Sequence, residues 1–120
     1  MKEEISRWIK QAKEDFETAR YLFEGKKYKQ ASFFCQQSCE KALKSELLKK
    51  ENKIPKIHDL VVLANKLRIP EPMKRALERI TNVYVDTRYP DTVTKDYTKE
   101  EVEEDLKDTE EILKWLKIKT

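Results

Sequence analysis

Apolar residues recur along this chain at every third or fourth position, separated by charge, and the spacing predicts helices almost throughout. Over residues 3–24, Ile5, Trp8, Ile9, Ala12, Phe16, Ala19 and Phe23 line one face. Gly25 is expected to stop that helix, and a connection as short as Lys26-Lys27 makes the next helix an antiparallel neighbour. The second helix, about 28–50, has two apolar sides. Tyr28, Ala31, Ser32, Cys35, Ser38, Cys39 and Ala42 share one face, and apart from the tyrosine they are small enough for another helix to approach closely. A different side carries Phe33, Phe34 and Leu48 beside Gln37, Lys41 and Lys44. Such a helix is covered twice, and the second cover is either the short helices that follow or a second copy of the chain. We expect a homodimer to contribute.

A short third helix is expected over Leu60, Val61, Leu63, Ala64 and Leu67, punctuated by Pro70 and Pro72. A fourth carries Met73, Ala76, Leu77, Ile80, Val83 and Tyr84 in register, and an irregular stretch then runs from about Asp86 to Tyr97. The last helix opens on a capping box, Thr98 with Glu101, and its core stripe is Val102, Leu106, Leu113 and Leu116, with Trp115 directed elsewhere. The expected fold is a single all-α domain over residues 1–120. It is an up-and-down bundle of about five helices: two long antiparallel ones, two short ones and a long last one.

Composition narrows the chemistry. One glycine in 120 residues rules out a phosphate-binding P-loop and a dinucleotide fingerprint, which need several. H-E-x-x-H, C-x-x-C, G-x-S-x-G and Asp-x-Asp patterns are all missing. Cys35 and Cys39 sit four apart in one helix, a poor disulfide geometry, and read as small core residues. With one histidine they are too few for a zinc site, so neither metal nor cofactor is expected. The chain opens on charge, and no segment approaches the ~18 apolar residues that span a bilayer. The expected location is therefore the cytoplasm, away from membranes.

Charged residues make up 41% of the chain but leave a net charge of only +3. Residues 1–50 hold 12 basic against 8 acidic, residues 51–97 hold 9 against 7, and residues 98–120 hold 5 against 8. The body is thus mildly basic and the last helix acidic, a distribution that suits an anionic partner on one side. Abundant Lys and Glu also fit a thermophilic source.

Three features carry candidate chemistry. His58, at the entrance to the third helix, either caps, packs or bonds locally there, or serves as a ligand or acid–base group. Arg88-Tyr89-Pro90-Asp91 places a guanidinium, a phenol and a carboxylate on an irregular segment, since proline forces Tyr89 out of helical geometry. Arg88 suits phosphate and Tyr89 offers a stacking face; alternatively Arg88 pairs with Asp86 or Asp91 and Tyr89 fills the bundle rim. Lys41, Lys44, Lys49, Lys50, Lys53 and Lys56 form a basic ridge that is either ordinary solvated surface or an extension of a phosphate-binding groove.

In order along the chain, these residues resemble the HEPN family. Trp8, Ala12, Asp15 and Ala19–Leu22 are similar to its first helix, and Tyr28, Ala31, Phe34, Gln37 and Glu40-Lys41-Ala42-Leu43-Lys44 to its second. His58-Asp59-Leu60 resembles its mid-chain element, and Arg88-Tyr89-Pro90-Asp91 its late one. The resemblance implies a helical bundle paired into a two-fold dimer that binds nucleotides or RNA. It also implies, as partner, a minimal nucleotidyltransferase in a toxin–antitoxin-like pair. Many family members are metal-independent RNases whose arginine is followed after four to six residues by a histidine. Here Thr92, Val93, Thr94 and Lys95 follow Asp91, and no histidine appears. The expectation is accordingly binding through Arg88, Tyr89, Asp91, Lys41 and Lys44. The alternatives are a divergent RNase using Arg88, with or without His58, or a protein–protein adaptor without a ligand.

Overall fold

Helices α1 (Lys2–Glu24) and α2 (Tyr28–Glu51) form a long antiparallel hairpin, followed by α3 (Leu60–Asn65), α4 (Glu71–Thr81) and α5 (Lys99–Trp115). They come from a computed structural model that describes residues 2–83 and 96–120. Five helices and no strand occur among those residues, as the sequence pattern implies. The Arg88, Tyr89 and Asp91 calls, and that of Tyr84 as a core position, lie outside them.

The directions of the helices follow from their cross-contacts. Phe23 meets Tyr28 edge-on beside the α1–α2 turn, and further along Ser38 Oγ donates to the Ala12 carbonyl at 2.7 Å. Helix α5 runs parallel to α2, with Ser32 bonded to Asp105 at one end and Cys39 to Thr109 further down. Helix α4 climbs between them: Arg79 near its end reaches Asp105, near the start of α5. Thus α1, α2, α4 and α5 alternate up and down, and α3 is a short piece in the crossover from α2 to α4.

Helix α2 is the central element. Leu43 and Leu47 lie at 0% exposure in a core shared with Leu60, Leu63, Leu77, Ile80, Ile112 and Leu113. Full burial of each such leucine contributes on the order of 2 kcal/mol. The small face allows the close packing expected of it. Ala31, Ser32, Cys35, Ser38, Cys39 and Ala42 are all at 0% exposure. The second side is covered in good part within one chain. Leu48 and Lys44 are buried, while Phe33 and Phe34 remain half-buried, ring against ring at 5.4 Å.

Helix α1 stops at Glu24, just before Gly25 as expected, and the left-handed residue of its cap is Lys26, with φ 63°. The bonds Lys26 N–H to Phe23 and Lys27 N–H to Leu22 then close a Schellman turn. Lys117 (φ 63°) ends α5 in the same way, its neighbour Ile118 buried and bonded to the Leu113 carbonyl. With one glycine in the chain, lysine accepts the left-handed cost at both ends. One local expectation is corrected: the core stripe of α5 is broader than its apolar letters. Asp105, Thr109 and Ile112 are buried beside Val102 and Leu113, whereas Leu106 is only half-buried and Trp115 points outward as expected. Thr98 caps α5, its Oγ1 accepting from Glu101 N–H at 3.2 Å. Pro70 and Pro72 open α4, where a missing N–H costs nothing.

Candidate functional site

The connection between α2 and α3 returns along α2 and lays His58 against it. Asp59 fixes that entry by capping α3, its carboxylate accepting from the Val61 and Val62 N–H groups. The Leu60 N–H is taken by Thr81 Oγ1 at 2.9 Å, which ties the same corner to α4. His58 therefore does not cap the helix it precedes. Its Nδ1 lies 2.9 Å from Glu40 Oε2, and the ring stays 53% exposed.

Glu40 is the hub of this cluster. Its carboxylate side chain is 8% exposed and also accepts from Lys44 Nζ at 2.9 Å and from Gln36 Nε2 at 3.0 Å. Gln36 in turn reaches the His58 carbonyl and accepts from Gln37 Nε2. The Lys44 ammonium stands 6.0 Å from the centre of the Trp8 ring, so α1 closes the far side. Residues 8, 36–44 and 58, scattered in sequence, become one polar cluster with a buried carboxylate at its centre and an imidazole at its rim. A carboxylate holding one imidazole nitrogen sets the ring's orientation and leaves its other edge directed away from the anchor.

Lys41 and Lys44 are not the solvated ridge residues that sequence allows. Lys44 is buried on Glu40, and Lys41 forms an ion pair with Asp15 of α1, both groups largely covered. Burial holds the Asp15 carboxyl above its usual range, and Lys41 offsets part of that rise. Each lysine therefore meets a ligand already neutralised. Lys49, Lys50, Lys53 and Lys56 are exposed, so the ridge is reduced to its last four members.

A second cluster links α2, α4 and α5, and the sequence reading missed it. Asp105, 5% exposed, accepts from Ser32 Oγ at 2.8 Å and from Arg79 Nε at 3.0 Å, while Arg79 also donates to Asp108 at 2.7 Å. Three of these residues read as surface charge in a charge-rich helix, so only their spacing along α4 and α5 could have marked them. Beneath lie Cys35 and Cys39. Burial pushes both thiols up, Cys39 to about 12, against a smaller opposing effect of the Thr109 hydrogen bond. Among the described residues no group of three His, Cys, Asp or Glu is placed to hold a metal ion. No helix there is long and apolar enough to cross a membrane.

The raised thiols give a pH prediction. A folded pKa above the unfolded one contributes stability that is complete below the unfolded value, near 9.0, and is lost as pH rises toward 12. Urea midpoints should therefore fall between about pH 9 and 11. Cys35→Ala/Cys39→Ala should flatten that fall, and a thiol reagent should leave both cysteines of the folded protein unmodified at about pH 8. Rapid modification without unfolding would contradict the burial.

The comparisons with known proteins agree with this architecture. The family model described as HEPN domain matches residues 5–119. The crystal structure of TT1696 from Thermus thermophilus superposes with a TM-score of 0.84 at 27% identity, covering 94% of this chain and 95% of that one. The structure of ST0689, an archaeal HEPN homologue, superposes with a TM-score of 0.79 at 31% identity, covering 94% of each chain. Among curated proteins none shows significant similarity. Helix order, chain coverage and the family match agree, and this chain belongs to the HEPN family.

Proposed function

We propose that this chain is a homodimeric, cytoplasmic module that recognises a nucleotide or RNA. In this reading it works beside a minimal nucleotidyltransferase, in a toxin–antitoxin-like pair, and does not cleave RNA by the family's arginine–histidine chemistry. Arg88 and Tyr89 meet the ligand, with Asp91 beside them. Lys41 and Lys44, held by Asp15 and Glu40, position the helix face more than they supply charge.

The observation that carries the reading is where the chain's single histidine sits. No histidine follows Arg88 at the family's spacing, and the single one, His58, lies thirty residues before it. An arginine stabilises negative charge but does not accept a proton at neutral pH, so the arginine segment by itself supports binding without general-base catalysis. The test is titration of the wild-type protein and Arg88→Ala with ATP, GTP and a structured RNA, alongside sedimentation to follow dimerisation. The variant should remain dimeric and bind at least about tenfold more weakly, the loss of one charge-assisted phosphate contact. Equal affinity would sink the proposal.

One observation favours a second reading, a divergent metal-independent RNase. The Glu40–His58 contact is the carboxylate–imidazole arrangement that orients a general base. RNA cleavage that persists in EDTA and disappears in His58→Ala would establish that reading and displace the first.

A further inference from the structure

We propose that a nucleotide unit, a base with its phosphate, binds in the cavity where α2 and α5 end side by side. This goes beyond the Arg88 reading while resting on nucleotide recognition, and it names a site apart from the Glu40 cluster. The cavity measures about 330 Å³. That is within the range of pockets that hold small ligands. Along α2 it begins beyond Lys44, and helical periodicity turns Glu46, Lys49 and Lys50 to a different side from Glu40.

Its lining has two chemistries. Leu67 and Leu116 are nearly buried, while Trp115 beside them is 40% exposed, one of three large apolar side chains left so open among the described residues. Lys49, Lys50 and Lys117 supply positive charge, and Glu46 is the single acid. Glu46 lies 3.6 Å from Lys49, a loose pair that leaves Lys50 and Lys117 for a ligand. The turn that ends α5 sets where Lys117 leaves the helix, because buried Ile118 pins the next residue.

An indole face beside ammonium groups matches a planar base that stacks and a phosphate that needs point charges. An aliphatic ligand would leave the lysines unmatched. The charge of the surroundings points the same way. A neighbouring hollow shares Lys49 and adds Lys2 and Arg7 against Glu3. Across both hollows five basic residues (Lys2, Arg7, Lys49, Lys50, Lys117) face two acidic ones (Glu3, Glu46), an excess of three. The C-terminal ends of α2 and α5 each bring roughly half a negative charge to this place, and the basic excess outweighs them. The same hollow offers a continuing strand a basic path, so the nucleotide is either free or the terminal unit of an RNA.

The chain has two tryptophans, so in Trp8→Phe the emission comes from Trp115 alone. Titrating this variant with AMP and with a 5′-phosphorylated trinucleotide should quench that emission saturably, whereas ribose 5-phosphate, which has no base, should not. By calorimetry on the otherwise wild-type chain, Trp115→Ala should weaken AMP binding about tenfold or more, the usual cost of a lost stacking face. Lys50→Ala/Lys117→Ala should weaken it and reduce its salt dependence. A trinucleotide at least about tenfold tighter than AMP assigns the site to RNA ends, and equal affinity assigns it to free nucleotide. If nucleotides bind while Trp115 emission and the Trp115→Ala affinity stay unchanged, this cavity is not the site and the broader function stands. If neither nucleotide nor RNA binds the chain at all, both proposals fall.

Discussion

Replacing Glu40 by alanine should lower the unfolding free energy by about 3 kcal/mol or more, the usual cost of removing one partner from a buried ion pair. Lys44 is 6% exposed and donates to Glu40 at 2.9 Å, so without the carboxylate a full positive charge stays in the interior. The Trp8 ring, 6.0 Å from that ammonium, offsets only part of this, about 1–2 kcal/mol through its π-face. Gln36 loses its 3.0 Å acceptor in the same step, and His58 loses its anchor. For a chain of this size the melting midpoint should drop by about 10 °C. The effect should be non-additive: Glu40→Leu/Lys44→Met removes both charges together and should recover most of the loss. A shift in the single variant below about 0.5 kcal/mol would mean that Lys44 reaches water, and that the cluster does not hold the α2–α3 connection in place.

Asp105→Ala should cost about as much, for a different reason. One buried carboxylate accepts from both Ser32 and Arg79, so its removal leaves a hydroxyl at 0% exposure without that acceptor. An unsatisfied buried hydroxyl costs about 1–3 kcal/mol. Arg79 keeps Asp108 and is 39% exposed, so it adds less. We expect about 3 kcal/mol in urea unfolding and a loosened junction of α4 with α2 and α5, visible as faster amide exchange at the end of α4. Asp105→Asn should retain part of the stability, because an amide oxygen still accepts from Ser32. If Asp105→Ala and Asp105→Asn behave alike, the Ser32 bond contributes nothing measurable.

These two carboxylates show where sequence reading runs out. Glu40 was visible as part of a family-like run on the second helix, and His58 as the only histidine, but nothing in one dimension said that they touch. Their meeting depends on the irregular chain between α2 and α3, whose return path is set by the Asp59 cap and the Leu60–Thr81 bond. Asp105 and Arg79 carried no signal beyond ordinary charge in a chain that is 41% charged. Lys41 and Lys44 looked like surface because lysine usually is. Both are covered because α1 presents Asp15 and Trp8 to them.

What the sequence determined by itself is the helical architecture. Apolar spacing at three and four, near-absence of glycine, the Thr98 capping box and the small face of α2 are local properties. Each acts within a turn or two of helix, and each was legible before any tertiary contact was known. What only the tertiary structure decided is the site. Which charges are buried, which stay in water and which distant side chains meet all depend on packing between distant segments. Burial and pairing are properties of neighbours in space, and the periodicity of a helix fixes its faces without naming what will cover them.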